Sequence, residues 1–196
     1  MHQAVIPRFL VTTADERTWP AGRPVLFLGE WCRLYDRRAA WEQLDAEVVP
    51  YHWDDRGQLY RDYLYLRELY EALLAELSEA LNAFHGVRYS FRYWRILVGP
   101  WLGYFTQMLF DRWTMIQRAI RDYEINETVV LDLPWEQIIP NDMADFTDKF
   151  VSDPWNHALY GRILREWTNV SCERTPVREA AESVPADSRA PSLPLR

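Results

Sequence analysis

Two short segments place reactive side chains directly after apolar runs. Gly29-Glu30-Trp31-Cys32-Arg33 follows Pro24 to Leu28 (PVLFL), and Pro50-Tyr51-His52-Trp53-Asp54-Asp55 follows Glu47-Val48-Val49. If both runs are parallel strands, both segments lie at strand carboxyl ends, where the loops of an open α/β sheet converge on a crevice. Glu30 could act as a base or accept hydrogen bonds from sugar hydroxyls. Arg33 could grip a phosphate with two parallel hydrogen bonds, and Trp31 could stack on a sugar face. His52 is the natural general base, since an imidazole titrates nearest neutrality, and Asp54 or Asp55 could orient it or hold a divalent metal. Further along, Arg92 and Arg95 stand at i and i+3 and could contact an anionic phosphate, with Asp111-Arg112 later on the same helix. The catalytic candidates are therefore His52 and Glu30, with Trp31, Arg33, Asp54 and Arg95 as substrate-binding candidates.

Each candidate has a plainer alternative. Glu30 and Arg33 could pair with each other while Trp31 fills the core edge. The Asp54-Asp55 pair could simply cap a helix, and Arg92 and Arg95 could pair locally. Cys32 reads as a small buried hydrophobe, His85 as a helix end and His157 as a helix-surface residue. The chain has no GxxxxGK[ST] loop, no GxGxxG after a strand, no GxSxG, no HExxH and no zinc-type spacing, so no cofactor or metal is implied by a motif.

The elements that must position these groups follow from apolar patterning. Arg8 to Thr13 (RFLVTT), Pro24 to Leu28, Glu47 to Val49 and Thr128 to Leu133 (TVVLDL) are short apolar runs bounded by breakers, as buried strands are. Ala14 to Arg23 is polar and reads as a loop, and Asp36 can cap a short helix. From Leu59, apolar or aromatic residues recur at steps of three and four through Phe84, predicting a long amphipathic helix ended by His85-Gly86. Ser90 caps a second helix that runs to about Tyr123. It is apolar on most faces and so expected to be buried, with a break at Gly99-Pro100. Asn141 and Asp153-Pro154 mark two more helices. Strands alternating with helices predict an α/β fold, a Rossmann-like and mostly parallel sheet carrying long helices.

Bulk properties exclude several function classes. A net charge of -7 argues against a nucleic-acid surface. Two distant cysteines give neither a disulfide framework nor a zinc site, and a reducing cytoplasm is the simplest compartment. The longest apolar stretch, Ile96 to Phe110, falls short of the ~18 residues of a spanning helix and is interrupted by Gly-Pro, so no transmembrane segment is expected. After Cys172 the composition changes abruptly: no aromatic residue follows, and Pro176, Pro185, Pro191 and Pro194 do. The expected organisation is a Rossmann-like domain over residues 1–170 and a disordered tail over 171–196, read either as a linker or as a truncated or frameshifted end.

Several blocks carry a family resemblance. FLVTTADERTWP (Phe9 to Pro20), PVLFLGEWCRLYDR (Pro24 to Arg37), VVPYHWDDR (Val48 to Arg56), RYWRILVGPWLGYFTQMLFDRW (Arg92 to Trp113), PNDMADF and DPWNHALYGRIL resemble the opening of bacterial transferases encoded in O-antigen and surface-polysaccharide loci. The quoted likeness runs from about Arg8 to Cys172. It implies a longer protein of two-domain, GT-B-type glycosyltransferase architecture, of which this chain is the amino-terminal, acceptor-side part. The implied reaction takes a nucleotide-sugar donor and a carbohydrate or lipid-linked acceptor, with peripheral membrane contact open and the donor held mainly by the carboxyl-terminal half. The alternative is a non-catalytic fragment or binding module lacking that half.

Overall fold

The computed structural model describes residues 6–176. Five strands form one wholly parallel sheet: β1 (Arg8–Val11), β2 (Val25–Phe27), β3 (Ala46–Val48), β4 (Ile125–Asp132) and β5 (Ser171–Pro176), in the order β3-β2-β1-β4-β5. The chain builds outward from β1 to β3, then crosses back to lay β4 on the other side of β1. The turning point lies between the carboxyl ends of β1 and β4, where doubly wound sheets open a crevice. Consecutive residues of β1 and β2 (Phe9, Leu10, Val11; Val25, Leu26, Phe27) are all buried, so this part of the sheet is covered on both faces.

The helices are α1 (Arg38–Trp41), α2 (Arg56–His85), α3 (Phe91–Leu97), α4 (Gly99–Asp122), α5 (Trp135–Ile138), α6 (Met143–Lys149) and α7 (Asp153–Trp167). Their ends follow local chemistry. Asp55 accepts from the Gly57 and Gln58 N–H groups to start α2, Ser90 from the Tyr93 N–H to start α3, and Asp142, rather than Asn141, from the Asp145 N–H to start α6. Gly86 ends α2 in the left-handed conformation, at φ 65°. Pro100 falls at the first turn of α4, which splits the predicted second helix into α3 and α4. The carboxyl-terminal half of α4 (Met115, Ile116, Ala119) and α7 (Tyr160, Ile163, Leu164) complete the sheet's core. No helix among the described residues is long and apolar enough to cross a membrane.

Two sequence expectations are revised. The domain boundary expected at 170 falls inside the sheet edge, because Ser171–Pro176 pairs with β4 as β5. This strand has no apolar run to announce it; its pairing comes from backbone hydrogen bonds to β4. The rest of the expected tail, from residue 177, lies outside the described residues. The expectation of a second helix buried on most faces holds for α4 near the sheet but fails at its outer end. There Ile96 and Leu97 of α3 and Tyr104 of α4 are exposed.

Gly161 sets the spacing between α7 and the sheet. A Cβ there would lie 2.4 Å from Val130 Cγ1 of β4, so the helix approaches as closely as its backbone allows. Gly161→Ala is expected to cost about 1–3 kcal/mol through this clash, measured by urea unfolding, with Val130→Ala in the same chain recovering part of the loss. Unchanged stability of Gly161→Ala would show that the contact is not tight.

Candidate active site

A cavity of about 850 Å³ opens at the carboxyl edge of the sheet. Thr13 follows β1, Glu30 and Trp31 follow β2, and Tyr51 and Asp54 follow β3; each lines the cavity from its own loop. Asp111 and Arg112 of α4 close it from below, and Asp153, Asn156 and Tyr160 of α7 from the side. The loop after β2 takes a tight 3-10 turn over Glu30–Cys32. Gly29 allows it, because a Cβ at that position would meet the Trp31 ring at 2.1 Å. The ring is anchored by its Nε1–H, which donates to the Thr12 carbonyl at 3.0 Å.

The floor of the cavity is a network around Asp111. His52 Nε2–H donates to Asp111 Oδ1 at 2.9 Å, Arg112 donates to Oδ2 at 2.5 Å, and the Tyr51 hydroxyl lies beside the same carboxylate. Burial alone would raise the Asp111 pKa, but the His52 hydrogen bond, the Arg112 charge and the Tyr51 hydroxyl together hold it below the usual carboxylate value. Asp111 is therefore ionised. Burial, then the Asp111 charge, pushes the Tyr51 pKa up, so its hydroxyl stays protonated beside the carboxylate. Arg112 also reaches across to Asn156 Oδ1 at 3.0 Å, tying α4 to α7.

Asp153 stands apart from this network. It is half-buried at the first turn of α7, and burial raises its pKa, helped by the charge of Asp15 and opposed by a hydrogen bond from the Ala14 N–H. A carboxylate that faces a cavity and is more basic than usual can accept a proton from a bound hydroxyl.

The candidates read from sequence are distributed unevenly. Glu30, Trp31 and Asp54 line the cavity. Arg33 does not: its guanidinium pairs with Glu30 at 2.6 Å and lies over the Trp41 ring, the local pairing that was the plainer alternative. His52 is buried behind the wall, with its Nε2–H committed to Asp111. Arg95 is outside the cavity lining; it pairs with Glu71 of α2 and covers the Phe91 ring. Asp55, not Asp54, caps α2. Sequence reasoning left Thr13, Tyr51, Asp153, Asn156 and Tyr160 without a role. The rule that loops after strands converge, extended from β2 and β3 to β1, would have found Thr13. Asp111, Asp153, Asn156 and Tyr160 reach the cavity from helices whose packing no local pattern announces.

His157, expected on a helix surface, is buried at the turning point of the sheet. The Leu131 N–H donates to its Nε2 at 2.9 Å, so the ring proton sits on Nδ1 and is donated to Thr12 Oγ1 at 3.1 Å. One neutral imidazole thus fastens β4, the end of β1 and α7 together.

A parallel sheet with a cavity at its carboxyl edge, apolar in much of its lining and carrying a few polar groups, is the arrangement of α/β enzymes that bind small molecules. A family model described as LIC12162 family transferase matches residues 8–191, and the chain belongs to that family. The match runs well past Cys172, so the likeness does not stop where the composition changes. No curated protein and no solved structure matches the chain.

Burial lowers the His157 pKa from 6.5 to about 4. Between those values the unfolded chain binds a proton that the folded one refuses, so stability is complete above pH 6.5 and drains away as pH falls. The shift corresponds to about 3 kcal/mol. His157→Gln keeps an acceptor for the Leu131 N–H but cannot titrate. Between pH 6.5 and 4 the unmodified protein should lose about 3 kcal/mol more than this variant in denaturant titrations. Parallel profiles would mean that His157 does not carry this dependence.

Proposed function

We propose that the cavity is the acceptor site of a sugar-transferring enzyme and that Asp153 takes the proton of the attacking hydroxyl. The observation that carries this reading is the charge of the lining. Four carboxylates, Glu30, Asp54, Asp111 and Asp153, face it, against a single guanidinium, Arg112, already paired with Asp111. An anionic nucleotide diphosphate would meet repulsion here and few free cations. A neutral sugar instead finds hydroxyl acceptors in the carboxylates and apolar platforms in Trp31 and Tyr51, set edge to face at 6.4 Å.

In this reading the acceptor hydroxyl oxygen bonds to the anomeric carbon of the donor sugar. The bond from that carbon to the nucleotide's phosphate oxygen breaks, and the hydroxyl proton passes to Asp153. His52 is a positioning residue, holding Asp111 so that Tyr51 and Arg112 stay fixed around the acceptor. The nucleotide-sugar donor, in the GT-B-type arrangement that the sequence resembles, is presented from outside this chain's cavity, and the surface-polysaccharide setting follows from the same resemblance.

Calorimetry separates acceptor from donor. The chain should bind members of a panel of neutral saccharides, with affinity lost in Trp31→Ala, and should not bind nucleotide sugars. Micromolar binding of a nucleotide sugar would make this the donor site and overturn the reading. In an active family member, Asn at the position of Asp153 should lower kcat by about 10²–10⁴-fold with KM little changed. The acidic limb of the rate profile, set by protonation of the base, should disappear. Unaltered turnover would remove Asp153 from the chemistry.

A further inference from the structure

The outer end of the helical hairpin differs in chemistry from the rest of the molecule. The protein carries 29 acidic residues and a net charge of -7, yet no Asp or Glu occurs from Ala80 through Phe110. That stretch contains Arg88, Arg92 and Arg95. It forms the last turns of α2, the Gly86 turn, α3 and the first half of α4.

The tip is firmly built. Asn82 Nδ2 donates to the Tyr89 carbonyl at 3.0 Å, while its Oδ1 accepts from the Tyr89 N–H at 2.9 Å and from Trp94 Nε1–H at 3.0 Å. Trp94 is buried beneath this clasp. Around it, large apolar side chains are left facing outward: Phe84 is 83% exposed, Ile96 68% and Leu97 59%, with the Tyr89, Phe91 and Tyr93 rings partly exposed beside them. Arg88 and Arg92 are exposed, and no described carboxylate pairs with either. A frame this well satisfied, surrounded by uncovered apolar and cationic groups, has the composition of an interfacial surface.

We propose that this tip docks on an anionic lipid bilayer. Apolar side chains at the tip enter the headgroup region, and the arginines lie over their stems to meet lipid phosphates. Charge favours a bilayer over other occupants. A protein of net negative charge is repelled by an anionic surface except where its acids are missing, and here they are missing over one continuous end. Behind the tip, Trp101 and Phe105 of α4 pack against Phe146 of α6 and Trp155 of α7, so the surface left uncovered is the turn after α2 together with α3. Glu79, the nearest acid on α2, lies about 8 Å along the axis from Phe84, and Glu71 is already paired with Arg95. The proposal is independent of the reaction assigned to the cavity.

Flotation of the whole chain with vesicles tests it. Vesicles of phosphatidylcholine with about a third phosphatidylglycerol should carry the protein up, and phosphatidylcholine alone should not. The charge-reversed Arg88→Glu/Arg92→Glu variant should lose at least about tenfold in binding. Phe84→Ser/Ile96→Ser should also lose binding while keeping the unmodified circular dichroism spectrum, since both side chains are exposed. No binding to the anionic vesicles, equal binding to both kinds, or undiminished binding by the charge-reversed variant would overturn the proposal. Self-association through Phe84 and Ile96 without vesicle binding would also overturn it and make the tip a protein interface.

Discussion

The cavity depends on one buried carboxylate. Taking a charge such as Asp111 out of water costs several kcal/mol unless partners replace its hydration. The fold supplies three: His52 and Tyr51 from the loop after β3, and Arg112 from the next position on α4. Satisfying that charge fixes the β3 loop against α4, and the reach of Arg112 to Asn156 extends the constraint to α7. Three walls of the cavity are thereby held by a single requirement. The imidazole at its centre has a second acid nearby, since His52 Nδ1 lies 3.9 Å from Asp62, itself occupied by Trp53 and Gln58. The hydrogen-bond network ends at this ring, since His52 Nδ1 has no partner within reach among the described residues, and Asp62 belongs to the root of α2.

Two buried histidines do structural work that sequence reasoning assigned elsewhere. His52 is at a strand end, where a general base would be sought, but its imidazole props the wall of the cavity. His157 is on a helix, where a surface residue would be expected, yet it closes the seam between β1 and β4. In both cases the missing information is tertiary: which neighbour lies across the gap. Burial decides the role, and burial depends on how α4 and α7 pack, which no spacing rule within either helix contains.

The regular elements were more legible. Alternation of apolar runs with helical periodicity located β1 to β4 and the long α2. β1 from Phe9 onward and β2 are buried throughout, while the apolar stripe of α2 is covered at Leu66 and Leu74 and open at Tyr63 and Phe84. Gly86 and the Gly99-Pro100 pair marked helix ends by backbone chemistry alone. β5 escaped because Ser171–Pro176 is an edge strand whose hydrogen bonds, rather than its side chains, tie it to the sheet. The outer end of the second predicted helix was read as buried since aromatic residues dominate it. There the apolar pattern reports a surface, and the informative signal was the absence of acids. Of the candidate site, the loops after β2 and β3 were found by position; Asp111, Asp153 and Asn156, contributed by helices, were not.

The central claim is that ligand enters the cavity bounded by Trp31, Tyr51, Asp111 and Asp153. The ten tryptophans of this protein supply indole N–H resonances that make a direct test. Trp31 lines this cavity, while Trp101 and Trp155 line a separate apolar pocket beside α5 and α6. On titration with a saccharide that calorimetry shows to bind, the Trp31 resonance should move progressively while those of Trp101 and Trp155 stay in place. Movement of Trp101 and Trp155 with Trp31 unchanged would contradict the account and transfer the binding site to the other pocket.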